Sequence, residues 1–222
     1  MCGCVTHLIF LSWPGLPNYH ESFHITRNLP ACLDFFEQLY QVGLRKILVA
    51  GTCYEYGLKN GSLKEDSIPD PVNSYAIAKD CLRRTMSNSL ALQGLEWSWA
   101  RIFYPYGVGQ NPKSLLPSLD RAIYEGKSEF EMSSGRQLRD FICVDTVARI
   151  LLKLAASPKA QGIFNCGSGF PVSLREFAEH RIAQSNSPIS LKLGVYPDRQ
   201  DEPLAFWSDM SKFINTFPDF KI

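Results

Sequence analysis

Tyr75 and Lys79 are the residues of this 222-residue chain whose types and spacing point most directly to chemistry. Four apart at the start of a helix, their side chains lie on one face and can converge on one ligand. A phenol ordinarily titrates at about pH 10 and transfers protons poorly at neutral pH; an ammonium held nearby favours the phenolate and brings it towards the working range. A hydroxyl beside the substrate oxygen would complete the site, and Thr52, at the tip of the preceding strand, stands where one belongs. Spacing alone says little, because nine Tyr and eleven Lys give roughly 0.4 Tyr-x-x-x-Lys pairs by chance, and a solvated i,i+4 surface pair is the competing reading. Position carries the argument. The single such pair follows a strand ending in a Gly51-Thr52 turn and opens a helix, at the C-terminal edge where open α/β sheets take ligands.

The elements that must position these residues alternate. Residues 5–11 are continuous and apolar, as a central parallel strand covered on both faces should be. Pro- and Gly-rich residues 13–19 break that strand. Apolar positions recurring at three and four predict a helix over 21–42, ending at Gly43. Residues 46–51 form the next strand, 59–73 a polar loop, and Ser74 an N-cap for a helix over 75–92 closed by Gly94. A third strand covers 97–103. Beyond it, 117–124, 145–156 and 173–184 read as helical, and 138–143, 163–166 and 189–195 as extended. The alternation predicts an α/β fold: a doubly wound parallel sheet in residues 1–110, followed over 111–222 by a smaller, loop-rich part interleaved with it, including a returning strand near 138–143.

Composition excludes more than it assigns. A net charge of +1, from 23 basic and 22 acidic residues, gives no reason to expect nucleic acid or an anionic membrane as partner. The early apolar run is too short for a membrane span and lacks the flanks of a signal peptide. Seven scattered cysteines, with no CxxC pair and no Cys/His cluster at zinc spacing, fit a reducing cytoplasm and no metal; Cys2 and Cys4 read as incidental thiols rather than a metal or redox site.

Several ordered segments together resemble the extended short-chain dehydrogenases, specifically the NAD-dependent epimerase/dehydratase group. They are Ile47-Leu48-Val49-Ala50-Gly51-Thr52-Cys53-Tyr54-Glu55-Tyr56-Gly57, then Glu65, Pro71 and Ser74-Tyr75-Ala76-Ile77-Ala78-Lys79. Arg101 to Gln110 looks like the loop after the sixth strand, Arg139-Asp140-Phe141-Ile142-Cys143-Val144-Asp145 like the family's RDF segment, and Asn165-Cys166-Gly167-Ser168-Gly169 like the strand and turn after it. Arg199-Gln200-Asp201-Glu202-Pro203 and Ser208-Asp209-Met210-Ser211-Lys212 are similar to its closing motifs.

The resemblance implies a partial Rossmann-like fold that binds NAD or NADP and a nucleotide-linked sugar. It implies Tyr75 as general acid/base, Lys79 as its pKa partner and ribose contact, and Thr52 as the hydroxyl that polarises the sugar oxygen. Cofactor contacts are implied at Ser12, Trp13, Asn28, Tyr75, Lys79, Tyr104 and Pro105, and substrate contacts at Cys53, Tyr54, Tyr104, Arg139 and Arg199. For the two arginines the role is diphosphate recognition, with a surface ion pair as the alternative. Pairing of two copies through the helices at 21–42 and 75–92 is a further family expectation. Two departures narrow the reading. Cys53-Tyr54 stands where dehydratases carry an Asp-Glu pair, and Tyr104 where hexose 4-epimerases often carry Asn. The wording is most similar to reductases of nucleotide-linked 4-keto-6-deoxysugars.

The family begins with a strand, a G-x-x-G-x-x-G turn and a helix N-terminus that receive the cofactor pyrophosphate. These 222 residues hold no such glycine spacing; the chain opens at what resembles the fourth strand. The expectation is a partial or mis-started chain, the alternative a natural short form that binds a nucleotide sugar without catalysis.

Overall fold

A computed structural model describes residues 5–90, 94–199 and 202–221. Of the segments singled out above, Cys2, Cys4, residues 91–92 of the second helix and Gln200-Asp201 lie outside the described residues.

The chain opens with β1 (His7–Phe10), a loop and a π-helical turn (His24–Asn28), which runs into α1 (Leu29–Gln41). Then come β2 (Lys46–Thr52), a 3-10 turn (Cys53–Tyr56), β3 (Gly61–Leu63), α2 (Ser74–Thr85), a second π-helical turn (Met86–Leu90) and β4 (Glu96–Ile102). The remainder is β5 (Tyr104–Tyr106), α3 (Leu115–Tyr124), β6 (Glu129–Glu131), β7 (Leu138–Arg139), β8 (Phe141–Cys143), α4 (Val144–Ala156), β9 (Gly162–Cys166), β10 (Val172–Ser173), α5 (Leu174–Ser185), β11 (Ser190–Lys192), β12 (Phe206–Ser208) and α6 (Ser211–Thr216).

Four parallel strands form the main sheet, in the order β1-β2-β4-β9. Side chains along β2 are almost all buried and point alternately to the two faces of the sheet. Ile47 and Val49 join Cys32 and Phe36 of α1, Leu82 of α2 and Trp99 of β4 on one face. Leu48 turns to the other, against Val147, Ile150, Leu151 and Leu154 of α4. Each such fully buried aliphatic side chain contributes about 1.5–3 kcal/mol. The helices therefore cover both faces, as the continuous apolar run over 46–51 requires. A second region, built on Leu119, Ala122, Met132, Ala178 and Ile189, packs α3 and α5 around the β6–β11 pair. The sequence-distant pairs β3–β12, β5–β8 and β7–β10 join the two regions.

The fold departs from the expectations at definite places. Residues 5–11 do not make a strand covered on both faces: β1 pairs with β2 alone among the described residues, and Ile9 is 38% exposed. The strand that returns to the main sheet is β9, whereas β7 and β8 pair in small ladders outside it. The predicted loop over 59–73 contains β3. Ser74 is not the N-cap of α2. Asn73 takes that place, its side-chain oxygen accepting from Ala76 N at 2.9 Å, and Ser74 Oγ donates instead to the His20 carbonyl. Gly51 is not a turn residue but lies within β2; a Cβ there would stand 2.0 Å from Trp99 Nε1, so close approach of the indole demands glycine. No helix among the described residues is long and apolar enough to cross a membrane.

Candidate functional site

The cleft is built at the C-terminal ends of β1, β2 and β4, where the parallel register brings the strand tips to one edge. Thr52 ends β2 in extended backbone and caps the 3-10 turn that follows. Its hydroxyl accepts from Tyr54 N at 3.3 Å, while Glu55 Oε1 accepts from Thr52 N at 3.0 Å. That reciprocal box fixes the strand end in one conformation. Across from it, Tyr75 sits in the first turn of α2, its backbone N–H donating to the Tyr19 carbonyl at 2.9 Å. The Thr52 hydroxyl lies near enough to the Tyr75 phenol to favour its ionised form, and both residues are buried.

Lys79 lies one turn further along α2 and is 2% exposed. Its ammonium donates to the Ala50 carbonyl at 2.8 Å and stands 4.2 Å over the Trp13 ring. The three residues therefore lie together between β2 and α2, with Lys79 engaged by the strand carbonyl and the indole. Burial pushes the Tyr75 phenol up, the Thr52 hydroxyl opposes this, and the Glu55 charge adds to the rise. The lowering expected from a neighbouring ammonium does not set the direction, and the phenol holds its proton at neutral pH.

Lys79 responds in the opposite sense. Burial brings it from the usual 10.5 down to about 8, against the pull of Glu55 and Cys32. A folded pKa below the unfolded one costs stability in full below about pH 8, where both states carry the proton, and the cost fades as pH rises towards 10.5. Lys79→Met is therefore expected to stabilise the fold at pH 7 by up to about 3 kcal/mol, with the gain shrinking through that window. Thermal unfolding across pH checks this; a gain that stays constant would show that the buried charge is not its source.

Trp13 is itself held in place. Its Nε1–H donates to His24 Nδ1 at 3.0 Å, and His24 Nε2 faces the Asn18 carbonyl at 2.9 Å. An indole N–H can only donate, so the contact assigns Nδ1 as acceptor and leaves the ring proton on Nε2. The Asn28 amide donates to the Pro14 carbonyl at 3.0 Å and lies 3.4 Å from His24 Nδ1, so its polar head belongs to this loop network. Ser12 and Pro105 are exposed at the cleft edge.

The opposite wall is aromatic. Tyr54 stands between Tyr19 and Tyr104, with ring centroids at 5.3 and 6.2 Å. Tyr104 Oη donates to Glu202 Oε2 at 3.4 Å. Cys53 is buried, and burial raises its thiol well above the ordinary range. Arg139 and Arg199 converge on one carboxylate: Arg139 Nη2 lies 2.9 Å from Glu202 Oε2, and Arg199 Nη1 lies 2.8 Å from Glu202 Oε1. Burial would raise the Glu202 carboxyl, but the two guanidiniums outweigh it and hold the group below the usual glutamate range.

Tyr19, His24, Glu55, Asp140 and Glu202 were not singled out by sequence. Glu55 and Arg101 carried a readable signal: each is a lone charge in a strand-tip run that is otherwise apolar, and they meet as a buried ion pair at 2.8 Å. His24 left no such mark. Among the described residues no group of His, Cys, Asp and Glu could hold a metal ion, and the described cysteines are free thiols.

Comparison with known proteins places this geometry. Residues 5–167 match the model of the NAD dependent epimerase/dehydratase family. The chain is 31% identical over 201 residues to dTDP-6-deoxy-L-talose 4-dehydrogenase (NAD(+)) of Aggregatibacter actinomycetemcomitans, covering 90% of this chain and 74% of that one. It is 25% identical over 214 residues to GDP-6-deoxy-D-talose 4-dehydrogenase of the same organism, covering 95% and 71%. Among solved structures, MoeE5 in complex with UDP-glucuronic acid and NAD superposes with a TM-score of 0.78 at 26% identity, covering 95% of this chain and 72% of that one. Family model and sequence relatives agree: this chain belongs to the NAD dependent epimerase/dehydratase family.

Proposed function

We propose that the chain serves an NAD- or NADP-dependent oxidoreductase that interconverts a nucleotide-linked 4-keto-6-deoxysugar and its 4-hydroxy form, with Tyr75 as the proton donor. The observation that carries this reading is the burial of Thr52, Tyr75 and Lys79 around one strand tip, with the Lys79 ammonium donating to the Ala50 carbonyl two residues before Thr52. Two relatives are named as 4-dehydrogenases of 6-deoxytaloses, and the reverse of a 4-dehydrogenation is the reduction of a 4-ketone.

The residues present fit the nicotinamide–ribose end of the cofactor. The buried ammonium, which donates to one carbonyl and stands over one ring face, retains N–H donors for ribose hydroxyls. Bound there, the dinucleotide supplies hydride to the sugar carbon. Thr52 then donates to the carbonyl oxygen, Tyr75 delivers its proton to that oxygen, and Lys79 faces the resulting phenolate. The phenols of Tyr19, Tyr54 and Tyr104 offer ring hydroxyls both donors and acceptors, and the largely exposed Arg199 offers the diphosphate a guanidinium fork, while the buried Arg139 holds Glu202 beside it. Residues 1–110 would carry the dinucleotide part and 111–222 most of the sugar-nucleotide part, with two copies pairing through α1 and α2.

Thr52→Ala removes the hydroxyl beside Tyr75. A fall in kcat of about 10²-fold with nearly unchanged KM is expected, as for loss of one donor to a developing oxyanion. Nicotinamide absorbance followed with a 4-keto-6-deoxysugar nucleotide measures it; wild-type kcat in the variant would remove Thr52 from the mechanism.

A further inference from the structure

Glu55 is fully buried, and its carboxylate is engaged with the groups that make the cleft floor. Oε1 accepts from Thr52 N at 3.0 Å and from Trp99 Nε1 at 2.8 Å; Oε2 accepts from Arg101 Nε at 2.8 Å, with Arg83 Nε at 3.9 Å. The same oxygen and indole leave no room for a side chain at residue 51, since a Cβ there would also stand 2.8 Å from Glu55 Oε1. The strand tip is thus clamped from behind by one carboxylate at the residue immediately before Thr52 and at Thr52 itself.

Building on the function proposed above, we propose that Glu55 is a positioning residue: it fixes the main chain at Thr52 so that the hydroxyl meets Tyr75, and it supplies the negative charge that faces the buried Lys79 ammonium. A carboxylate present only to neutralise Arg101 would have no need of the Thr52 amide. Geometry brings the two charges to the same strand tip: the Lys79 ammonium donates to the Ala50 carbonyl, two residues before the Thr52 amide that Glu55 holds. Lys79 faces Glu55 from the 3-10 turn and Cys32 from α1, while Tyr75 faces Glu55, Cys53 and Tyr19. Around Glu55 itself lie Arg101 of β4 and Arg83 of α2, whose Nη2 is also held by Asp80 at 2.5 Å. Glu55 is the one carboxylate acting on both Tyr75 and Lys79 among these groups.

The test is a titration of Lys79 in this chain, read from the ε-carbon chemical shift of isotope-labelled lysine and assigned by its loss in Lys79→Arg. The wild-type midpoint is expected at about 8, and Glu55→Gln is expected to lower it by about one unit; an unmoved midpoint overturns the proposal. Should Glu55→Gln fail to fold because Arg101 is left buried without its partner, the neutral pair Glu55→Gln with Arg101→Gln must show the same fall. A double variant titrating at the wild-type midpoint overturns it equally. For the first half, Glu55→Asp keeps the charge but falls a methylene short of Thr52. It should leave the Lys79 midpoint in place and lower kcat by about tenfold at unchanged KM; unchanged kcat overturns that half. Failure of the proposed function reads differently: Tyr75→Phe would then turn over like wild type, with the Lys79 titration unaffected by that result.

Discussion

Tyr75→Phe is expected to lower kcat by about 10²–10⁴-fold, the usual contribution of a positioned general acid, and to change nucleotide-sugar affinity by less than about tenfold, since only one hydroxyl is lost. The ring stays packed against Trp13, Tyr19 and His24, at centroid distances of 6.0, 5.6 and 5.5 Å, so the variant keeps the cleft wall while losing the proton. The direction of the Tyr75 shift adds a pH signature. Burial holds the phenol above its ordinary value, so it is loaded as a donor across the neutral range and ketone reduction proceeds there without prior ionisation. The reverse oxidation needs the phenolate and should gain rate as pH rises. Turnover measured in both directions across pH checks this; a Tyr75→Phe variant as fast as wild type, or a reduction rate that climbs with pH as oxidation does, would end the assignment.

The second large effect concerns stability. Asp140 is fully buried and accepts five hydrogen bonds: from Ser168 N and Ser168 Oγ on Oδ1, and from Gly169 N, Ser208 N and Ser208 Oγ on Oδ2. One carboxylate thereby ties the β7–β8 junction to the turn after β9 and to β12. Gly167 belongs to the same knot, because a Cβ there would meet Ser208 Oγ at 2.3 Å and Asp140 Oδ2 at 2.4 Å. Asp140→Ala strands those donors, and a loss of about 4 kcal/mol is expected, or roughly 10 °C in melting temperature for a chain of this size. Asp140→Asn retains one acceptor oxygen and should lose less. Calorimetry on the two variants checks the order; equal melting temperatures for wild type and Asp140→Ala would show that the turn and β12 are held by other contacts.

What could be read from sequence is what local spacing encodes. The Tyr75–Lys79 pair was legible because four residues make one helical turn, and Thr52 because a buried strand announces its own tip. The helices at 29–41 and 144–156 were legible because their apolar positions recur with helical period. Contacts between distant segments were not. β3, β6 and β12 have three residues each, too few to display an alternation, and they exist because partners far along the chain complete them. The Tyr19–Tyr54–Tyr104 wall draws on three loops or strand ends, and the His24 clasp on Trp13 joins residues eleven apart that no periodicity relates. The direction of the Tyr75 shift was likewise beyond the sequence, because it depends on how much water the fold removes, not on which ammonium is near.

The β3–β12 ladder carries a temporal consequence. Ala205 N donates to Asn60 Oδ1 beside it, across a separation of 145 residues. During synthesis the strand tip with Thr52 and the helix with Tyr75 leave the ribosome long before β12 exists, so a nascent chain can assemble the main sheet through β9 while its second wall is still untranslated. Pairings that close so long a loop bear a large entropic cost and form late. The meeting of Tyr104 and Arg139 with Glu202 is therefore a property of the finished polypeptide, absent from a chain that stalls with roughly its last twenty residues unmade.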